Sequence, residues 1–369
     1  MPTPETEVRL IALQPDLDAA CELIVQQAEL PLDTEFARTD TYRPKLCLIQ
    51  VGTPGRVFCV DVLAGLDPAP LWRAVAAPGT MKILHAAKQD LEVLLLTFGA
   101  LPGPIFDTQI AAGLLGHPPQ AGYATLVEAE LGVRLDKTQT RTDWSRRPMS
   151  AAQIAYAAND VAHLPDLAVC LHQRLAAQDR EDWAREDCAA LLDPSLYGVR
   201  PENAWERLAG IDYQPVAVQA RARRLAAWRE RRADHADRPR QWILSDQALT
   251  ALAAGNPSDL AAIEALDVMT PGAIRNSGET ILAELRQADA DMAAGAVSLS
   301  QLARPVPVDS GDLKRLNAIV QKMATELGIA AEILATRSDL TALLRGTRDL
   351  RILRGWRRAV VGETLLAAL

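Results

Sequence analysis

Four acidic residues and one tyrosine occupy positions from which their side chains could act together. Asp33 and Glu35 stand two apart at the end of a predicted strand, so both side chains point to the same face. Tyr156 and Asp160 stand four apart in a helical pattern, which places them about 40° apart around the helix axis. Asp90 lies near the first turn of another predicted helix. Taken singly, each residue is equally consistent with a solvated acid, a helix-stabilising carboxylate or a partly buried tyrosine.

Together, these side chains match the requirements of two-metal phosphoryl transfer. Four hard carboxylates can hold two divalent ions about 3.5–4 Å apart, and a phenolic hydroxyl can orient or deprotonate a water molecule. The sequence has no cluster of His and Cys residues at zinc-ligand spacing. Oxygen ligands therefore favour Mg²⁺ or Mn²⁺ over Zn²⁺.

The elements that must position these residues alternate between strands and helices in the first part of the chain. Two apolar runs in residues 45–62 flank Thr53-Pro54-Gly55-Arg56, a turn signal that predicts a β-hairpin. Further strand-like runs precede helical patterns, at residues 81–84 before 87–98 and at 105–108 before 109–115. This order predicts an α/β domain with a mixed sheet.

From about residue 150 onward, Ala, Leu, Arg and Gln dominate in helical spacing, which predicts an all-α remainder. Proline-containing breaks lie near residues 193–201 and 304–307. The predicted domains are therefore residues 1–195, 200–292 and 300–369.

The segments that carry the five residues resemble the motifs of the DEDD exonuclease superfamily in its ribonuclease D form. LDTEFARTDTYRPKLCLIQ resembles the first motif, HAAKQDLEVL the second and YAANDVAHL the third. The third has the Tyr-x-x-x-Asp spacing of the DEDDy subgroup. FDTQIAAGLLG and LDKTQTRTDWSRRPMSAAQ are also similar to the family, so the resemblance spans most of residues 28–170. It implies a ribonuclease H-like fold, a mixed sheet flanked by helices.

The resemblance also implies a role for each matched residue. Asp33, Glu35, Asp90 and Asp160 would be the metal ligands, and Tyr156 would position or deprotonate the attacking water. The implied activity is 3′→5′ exoribonucleolytic hydrolysis to 5′-mononucleotides with two Mg²⁺ or Mn²⁺ ions. The implied substrates are RNAs with a free 3′ end, with trimming of tRNA precursors and other small RNAs as the family task.

Six further residues are predicted to bind the substrate: Phe36, His85, Gln89, Lys137, Trp144 and Arg147. Phe36 could stack on the terminal base or turn into the core, and His85 could be merely hydrogen-bonded. The basic loop from Arg134 to Arg147 could bind phosphates and offer Trp144 as a stacking surface, or it could be solvated. For Lys137, Trp144 and Arg147, the resemblance to the family favours a role in binding.

The helical segments after residue 200 are rich in arginine. The stretch QARARRLAAWRERRADHADRPRQWILSDQALTALAAGNPSDLAAI resembles the HRDC domain, which implies nucleic-acid binding, although such a charge run is commonly a solvated helix face. Arginines also spread through residues 345–358 around Trp356. By its position, this last segment is predicted to be a second, divergent HRDC-like domain.

Composition restricts the remaining possibilities. The formal net charge of −8 argues against a protein that coats nucleic acid by bulk electrostatics. The start of the chain lacks a basic, apolar leader, and no window reaches the ~18 apolar residues of a membrane helix, so a cytoplasmic protein is expected. The five cysteines form an odd set that is expected to be reduced. No heptad pattern predicts a helical interface, so a monomer is expected.

Two other functions stay open at this point. A DNA 3′→5′ exonuclease would use the same metal chemistry, although the HRDC-like segment and the lack of a polymerase domain argue against it. A catalytically inactive RNA-binding adaptor would be expected to have lost a ligand, and all four acids are present.

Overall fold

The structure is a computed structural model that describes residues 6–135, 142–198, 200–296, 299 and 308–369. These residues form two compact units. The first unit contains the described residues of 1–37, 45–197 and 307–369, and the second contains residues 38–44 and the described residues of 198–306.

A six-stranded mixed sheet forms the centre of the first unit. Its strands are β1 (Glu7–Ile11), β2 (Glu29–Ala37), β3 (Lys45–Thr53), β4 (Arg56–Asp61), β5 (Met81–Leu84) and β6 (Ile105–Asp107), in the order β1-β4-β3-β2-β5-β6. β3 pairs antiparallel with β2 and β4, and the other pairs are parallel. The predicted hairpin and mixed sheet are confirmed, whereas β1 was not predicted.

Helices cover both faces of this sheet. They are α1 (Gln14–Ile24), α2 (Ala69–Val75), α3 (Lys88–Phe98), α4 (Thr108–Leu114), α5 (Tyr123–Leu131), α6 (Ala151–Ala162), α7 (Leu164–Ala176) and α8 (Glu181–Ala190). Successive residues of the central strand β3 serve opposite faces, since Leu48 belongs to one apolar core and Ile49 to the other. Each such side chain contributes about 1.5–3 kcal/mol through its burial.

The second unit is helical. A 3₁₀ segment (Pro201–Arg207) precedes α9 (Val216–Ala236), α10 (Arg240–Ile243), α11 (Asp246–Gly255), α12 (Leu260–Ala265) and α13 (Pro271–Ala293). Its core is built around α9, whose Leu225 and Ala226 are fully buried. The side chain of Thr270 caps α13 by accepting a hydrogen bond from the Ala273 N–H.

The C-terminal helices belong to the first unit. They are α14 (Ser310–Leu327), α15 (Ala331–Leu334), α16 (Arg337–Leu344), α17 (Gly355–Arg357), a π-helical turn (Arg358–Gly362) and α18 (Glu363–Ala367). Their apolar residues share a continuous core with α4 to α8. The predicted helical character of the chain after residue 150 is confirmed within the described residues.

An aromatic and ionic contact joins these C-terminal helices to α8. The Trp183 and Trp356 rings stack with centroids 4.3 Å apart. Arg357 donates to both oxygens of Asp187, at 2.5 and 2.8 Å, and lies over the Trp356 ring. The backbone just after α4 also lies close to the backbone just after α14, because a Cβ at Gly116 would lie 2.6 Å from the Gly328 carbonyl oxygen. Residues 308–369 therefore form part of the packing of the first unit.

None of the helices in the described part of the chain combines the length and apolarity that a bilayer crossing requires.

Candidate active site

Strand β2 carries Asp33 and Glu35 beyond the point where its parallel neighbour ends. β2 pairs with β5 only over Glu29–Pro31, whereas its pairing with β3 continues to Ala37. The ladder shifts register after Glu35, where a β-bulge leaves Cys47 of β3 without a partner in β2. Such bulges re-aim side chains beside active sites. Both acids are half-buried.

Asp90 reaches the same place from α3, which begins shortly after β5 ends. It lies in the first turn of this helix, and its side chain is buried. The Thr34 hydroxyl, between the two acids of β2, donates a hydrogen bond of 2.5 Å to Asp90 Oδ1. This bond ties the α3 carboxylate to the strand that carries Asp33 and Glu35.

Helix α6 supplies Tyr156 and Asp160 on one face. A capping box fixes its start, because Ser150 and Gln153 satisfy each other's backbone N–H groups. α6 packs against β2, β3 and β4. The Tyr156 hydroxyl donates a hydrogen bond to the Asp160 carboxylate. This bond partly offsets the rise in the pKa of that acid that burial causes. The Trp144 ring lies beside Tyr156, with centroids 6.2 Å apart.

Three of the acids form a group able to hold a cation. Asp33, Glu35 and Asp160 each offer one carboxylate oxygen, and these oxygens all lie within 4.8 Å of one another. Carboxylate oxygens at such separations suit hard divalent ions such as Mg²⁺ and Mn²⁺. The residues present therefore fit a divalent-metal site, and Asp90 borders it through Thr34.

The pKa values of all four acids are raised, which is typical of a site that requires compensating positive charge. Burial raises the pKa of Asp33 well above its ordinary value, and repulsion from Asp90, Asp160 and Glu35 raises it further. Burial and repulsion from Asp160 and Asp90 raise the pKa of Glu35 to about 9. Burial also raises the pKa values of Asp90 and Asp160 to about 7 each. Bound cations would offset both causes by stabilising the ionised carboxylates.

The residues predicted to touch the terminal nucleotide differ in exposure. Phe36 is half-buried and packs against an apolar core. His85 Nδ1 lies 2.9 Å from Thr108 Oγ1, and burial lowers the pKa of its imidazole. Gln89 is exposed on α3, next to Asp90. Their contacts with a substrate remain predictions.

The described residues of the basic loop before α6 make more contacts within the protein than the sequence indicates. Trp144 is 5% exposed and belongs to the apolar core. Arg147 donates to both oxygens of Asp61 and to the carbonyls of Trp144, Arg146 and Cys47. These bonds occupy its five N–H donors, so binding a phosphate would require some of them to open. Lys137 and Arg141 lie outside the described residues.

Many arginines of the helical unit are ion-paired within it. The pairs are Arg221–Asp289, Arg224–Glu284, Arg224–Asp291, Arg229–Asp246 and Arg240–Glu230. The arginine run is therefore largely committed to joining helices. Trp242 stands apart with 61% exposure, and the Arg238 guanidinium lies 5.7 Å from its ring centroid. An exposed indole beside a cation is the kind of surface on which single-stranded nucleic acids stack.

Two residues near the acids, Thr34 and Asp107, were not predicted. Thr34 orients Asp90, and the alternation of β2 gives no indication of this contact because its partner is far away in the chain. Asp107 accepts from the Gln109 and Ile110 N–H groups at the start of α4. An Asp directly before a helical pattern is a capping signal that the sequence does contain.

Comparison with known families agrees with this architecture. A family profile described as 3′-5′ exonuclease matches residues 8–176, and the HRDC domain profile matches residues 218–285. The first match contains all four acids and Tyr156.

Several proteins are similar over nearly the whole chain. Ribonuclease D of Granulibacter bethesdensis is 39% identical, over 97% of this chain and 91% of the relative. Ribonuclease D of Pseudomonas paraeruginosa is 36% identical, over 98% of both. The crystal structure of Escherichia coli RNase D, described as an exoribonuclease involved in structured RNA processing, superposes with a TM-score of 0.86 at 31% identity, covering 98% of each chain.

Proposed function

The chain belongs to the ribonuclease D family, and from this premise we propose that its hydrolysis of RNA 3′ ends uses two Mg²⁺ or Mn²⁺ ions held by Asp33, Glu35, Asp90 and Asp160. Its activity is that of a metal-dependent 3′→5′ exoribonuclease. The single observation that supports the assignment of the site is the convergence of Asp33, Glu35 and Asp160 within 4.8 Å.

In this proposal the side chains divide the work by their chemistry. The four carboxylates bind and space the cations, which would supply positive charge for the attacking and leaving oxygens of an in-line displacement at phosphorus. Tyr156 orients the attacking water and helps to remove its proton. The bond between phosphorus and the leaving 3′ oxygen breaks, and each turn releases a 5′-mononucleotide.

The proposed substrates are RNAs with a free 3′ end, above all tRNA precursors and other small RNAs. We further propose that the enzyme acts in the cytoplasm as a monomer. Substrate contacts are assigned to Phe36, His85, Gln89, Lys137 and Arg147; Trp144, which is 5% exposed in the apolar core, is assigned none. For Arg147, this requires release of some of the internal bonds described above.

The proposed domains are an exonuclease domain over residues 1–195, a first HRDC domain over 200–292 and an HRDC-like domain over 300–369. The HRDC profile match at 218–285 supports the second of these. The packing of the last segment in the same compact unit as the exonuclease domain means that this domain is not structurally independent.

The direct test is digestion of matched RNA and DNA oligonucleotides carrying a 5′ label. With Mg²⁺ or Mn²⁺, the RNA is expected to shorten from its 3′ end one nucleotide at a time. A 3′ phosphate or a chelator is expected to stop the reaction. Faster loss of DNA would overturn the substrate assignment, and RNA binding without any shortening would favour the inactive adaptor.

Replacing Tyr156 by phenylalanine tests the water-positioning role. The rate of the chemical step is expected to fall by about 10²-fold, because general-base or water-positioning groups contribute at least this much. Binding of Mn²⁺, measured by titration, is expected to stay close to wild type because the carboxylates are unchanged.

Tyr197→Phe is the matched control. Its hydroxyl donates to the Leu191 carbonyl and takes no part in the acidic group. This variant is expected to retain wild-type activity. A collapse of metal affinity in Tyr156→Phe would require a different role for Tyr156.

A further inference from the structure

Another buried carboxylate, Asp107, lies close enough to Asp90 to help raise the pKa of that acid. It ends strand β6 and is 2% exposed. Its Oδ1 accepts hydrogen bonds from the Gln109 and Ile110 N–H groups, which cap α4. Two more backbone N–H groups, of Ala86 and Ala87, donate to Oδ1 and Oδ2 at 3.1 and 2.8 Å. One side chain therefore serves the starts of two helices.

The second of these helices is α3, which carries Asp90. Its N-cap residue, Ala87, has no side chain able to accept a hydrogen bond, so α3 has no cap from its own N-cap side chain. Instead, the Ala87 N–H donates a hydrogen bond to Oδ2 of Asp107, at the end of strand β6. Asp107 fixes where α3 begins.

The turn into α3 is also strained. Ala86 has φ of 55°, a left-handed conformation that costs a residue with a Cβ about 1–2 kcal/mol. A bond from the Ala86 N–H to Asp107 Oδ1 holds this conformation. Strain that surrounding contacts maintain is typical of functional sites.

Asp90 follows this turn within four residues, and its carboxylate is held from the other side by Thr34. The position of its carboxylate therefore depends on its hydrogen bonds to Thr34 of β2 and on where α3 begins. A shift of α3 by a fraction of an ångström would move the Asp90 carboxylate relative to the other three acids.

We propose that Asp107 is a positioning residue for the metal site, which holds α3 so that Asp90 faces the acids of β2 and α6. The proposal rests on the metal-dependent function described above. The simpler alternative is that Asp107 only caps α4, in which case its loss would lower stability and leave metal dependence unchanged.

The informative substitution is Asp107→Asn. The amide oxygen can take the place of Oδ1 and keep the bonds to Ala86, Gln109 and Ile110. The amide nitrogen then faces the Ala87 N–H, so the contact that fixes α3 is lost. The cap of α4 and the end of strand β6 are kept, so the substitution affects the start of α3.

The measurement is the Mn²⁺ concentration that gives half-maximal exonuclease rate, taken well below the unfolding temperature of each protein. For Asp107→Asn this concentration is expected to rise about 10- to 100-fold, as for other residues that orient metal ligands, with partial recovery of rate at saturating metal. Asp309→Asn, which alters the cap of α14, is expected to keep the wild-type value. Superimposable curves for wild type and Asp107→Asn would overturn the proposal.

Ala86 provides a test that leaves Asp107 intact. Its side chain is exposed, so Ala86→Val should not disturb the core, yet a β-branched residue at this φ raises the strain. Ala86→Val is expected to raise the half-activating Mn²⁺ concentration, and Ala86→Gly, which removes the strain, is expected to restore part of the affinity lost in Asp107→Asn. Ala86→Val tests the proposal even if Asp107→Asn does not fold. A wild-type dependence of its exonuclease rate on Mn²⁺ concentration would then count against the proposal. Absence of metal-dependent RNA hydrolysis by the wild-type protein would instead refute the proposed function itself.

Discussion

Replacing Asp33 by asparagine is expected to reduce exonuclease turnover on the order of 10³-fold, with the fold retained. The side chain keeps its size but loses the charge that lies among Glu35, Asp160 and Asp90. Electrostatic stabilisation in such a site is usually the largest contribution to the rate. Steady-state turnover of a labelled RNA, together with calorimetric titration of Mn²⁺, measures both the loss of rate and the loss of metal.

Asp16→Asn is the matched control, because Asp16 is an exposed aspartate on α1 in the same compact unit. It is expected to turn over RNA at the wild-type rate. Wild-type turnover in Asp33→Asn would refute the role of Asp33 as a metal ligand.

Thermal stability without metal gives a second readout of the same substitution. The folded-state pKa of Asp160 is raised from 3.8 to about 7, chiefly by burial, so the stability that this group contributes is present at low pH and is lost as the pH rises through 7. Because Asp33→Asn removes one member of this buried group of mutually repelling acids, its metal-free form is expected to melt no lower than wild type at pH 8. A clearly lower melting temperature would show that the acids are not in mutual repulsion.

Replacing Trp356 by alanine is expected to destabilise the nuclease unit by about 3–5 kcal/mol, the usual cost of removing a buried tryptophan. Its ring is 6% exposed and lies against Trp183 of α8, and its indole N–H donates to Asp187. The half-life of nuclease activity at raised temperature measures the effect, because it reports the unit that holds the acids, whereas a melting curve of the whole chain also contains the helical unit.

Trp242→Ala is the matched control for this prediction. Trp242 is 61% exposed and lies in the helical unit, so its loss is expected to change stability by no more than about 0.5 kcal/mol. Equal half-lives for the two variants would contradict the view that the C-terminal helices form part of the catalytic unit.

The sequence predicted a candidate metal site because local patterns carry its chemistry. The period of a strand places Asp33 and Glu35 on one face, and the period of a helix does the same for Tyr156 and Asp160. The resemblance to a known family added the expectation that all four acids converge, which no local period contains. The structure brings Asp33, Glu35 and Asp160 together and links Asp90 to them through Thr34. The strand at 81–84 and the hairpin at 45–62 were predicted because turn residues and apolar runs mark them.

What could not be predicted depends on partners distant in the chain. Arg147 was assigned to substrate binding from its charge, its neighbours and the family pattern, but Asp61, which accepts from its Nε and Nη2 groups, lies far away in the chain at the end of β4. Trp144 was expected to offer a stacking surface, and the packing of α6 instead places it in the core. The joining of the C-terminal helices to α8 likewise depends on the Trp183 and Trp356 rings, which stack across a long stretch of sequence.

The first compact unit is discontinuous in the chain, since residues 198–306 are interposed between residue 197 and its C-terminal segment, 307–369. During synthesis the ribosome delivers residues 1–197 before the segment 307–369 that completes their apolar core. Helices α4 to α8 therefore keep part of their apolar surface uncovered until that segment has been made. We expect full nuclease activity to emerge only after residues 307–369 have left the ribosome and packed against these helices.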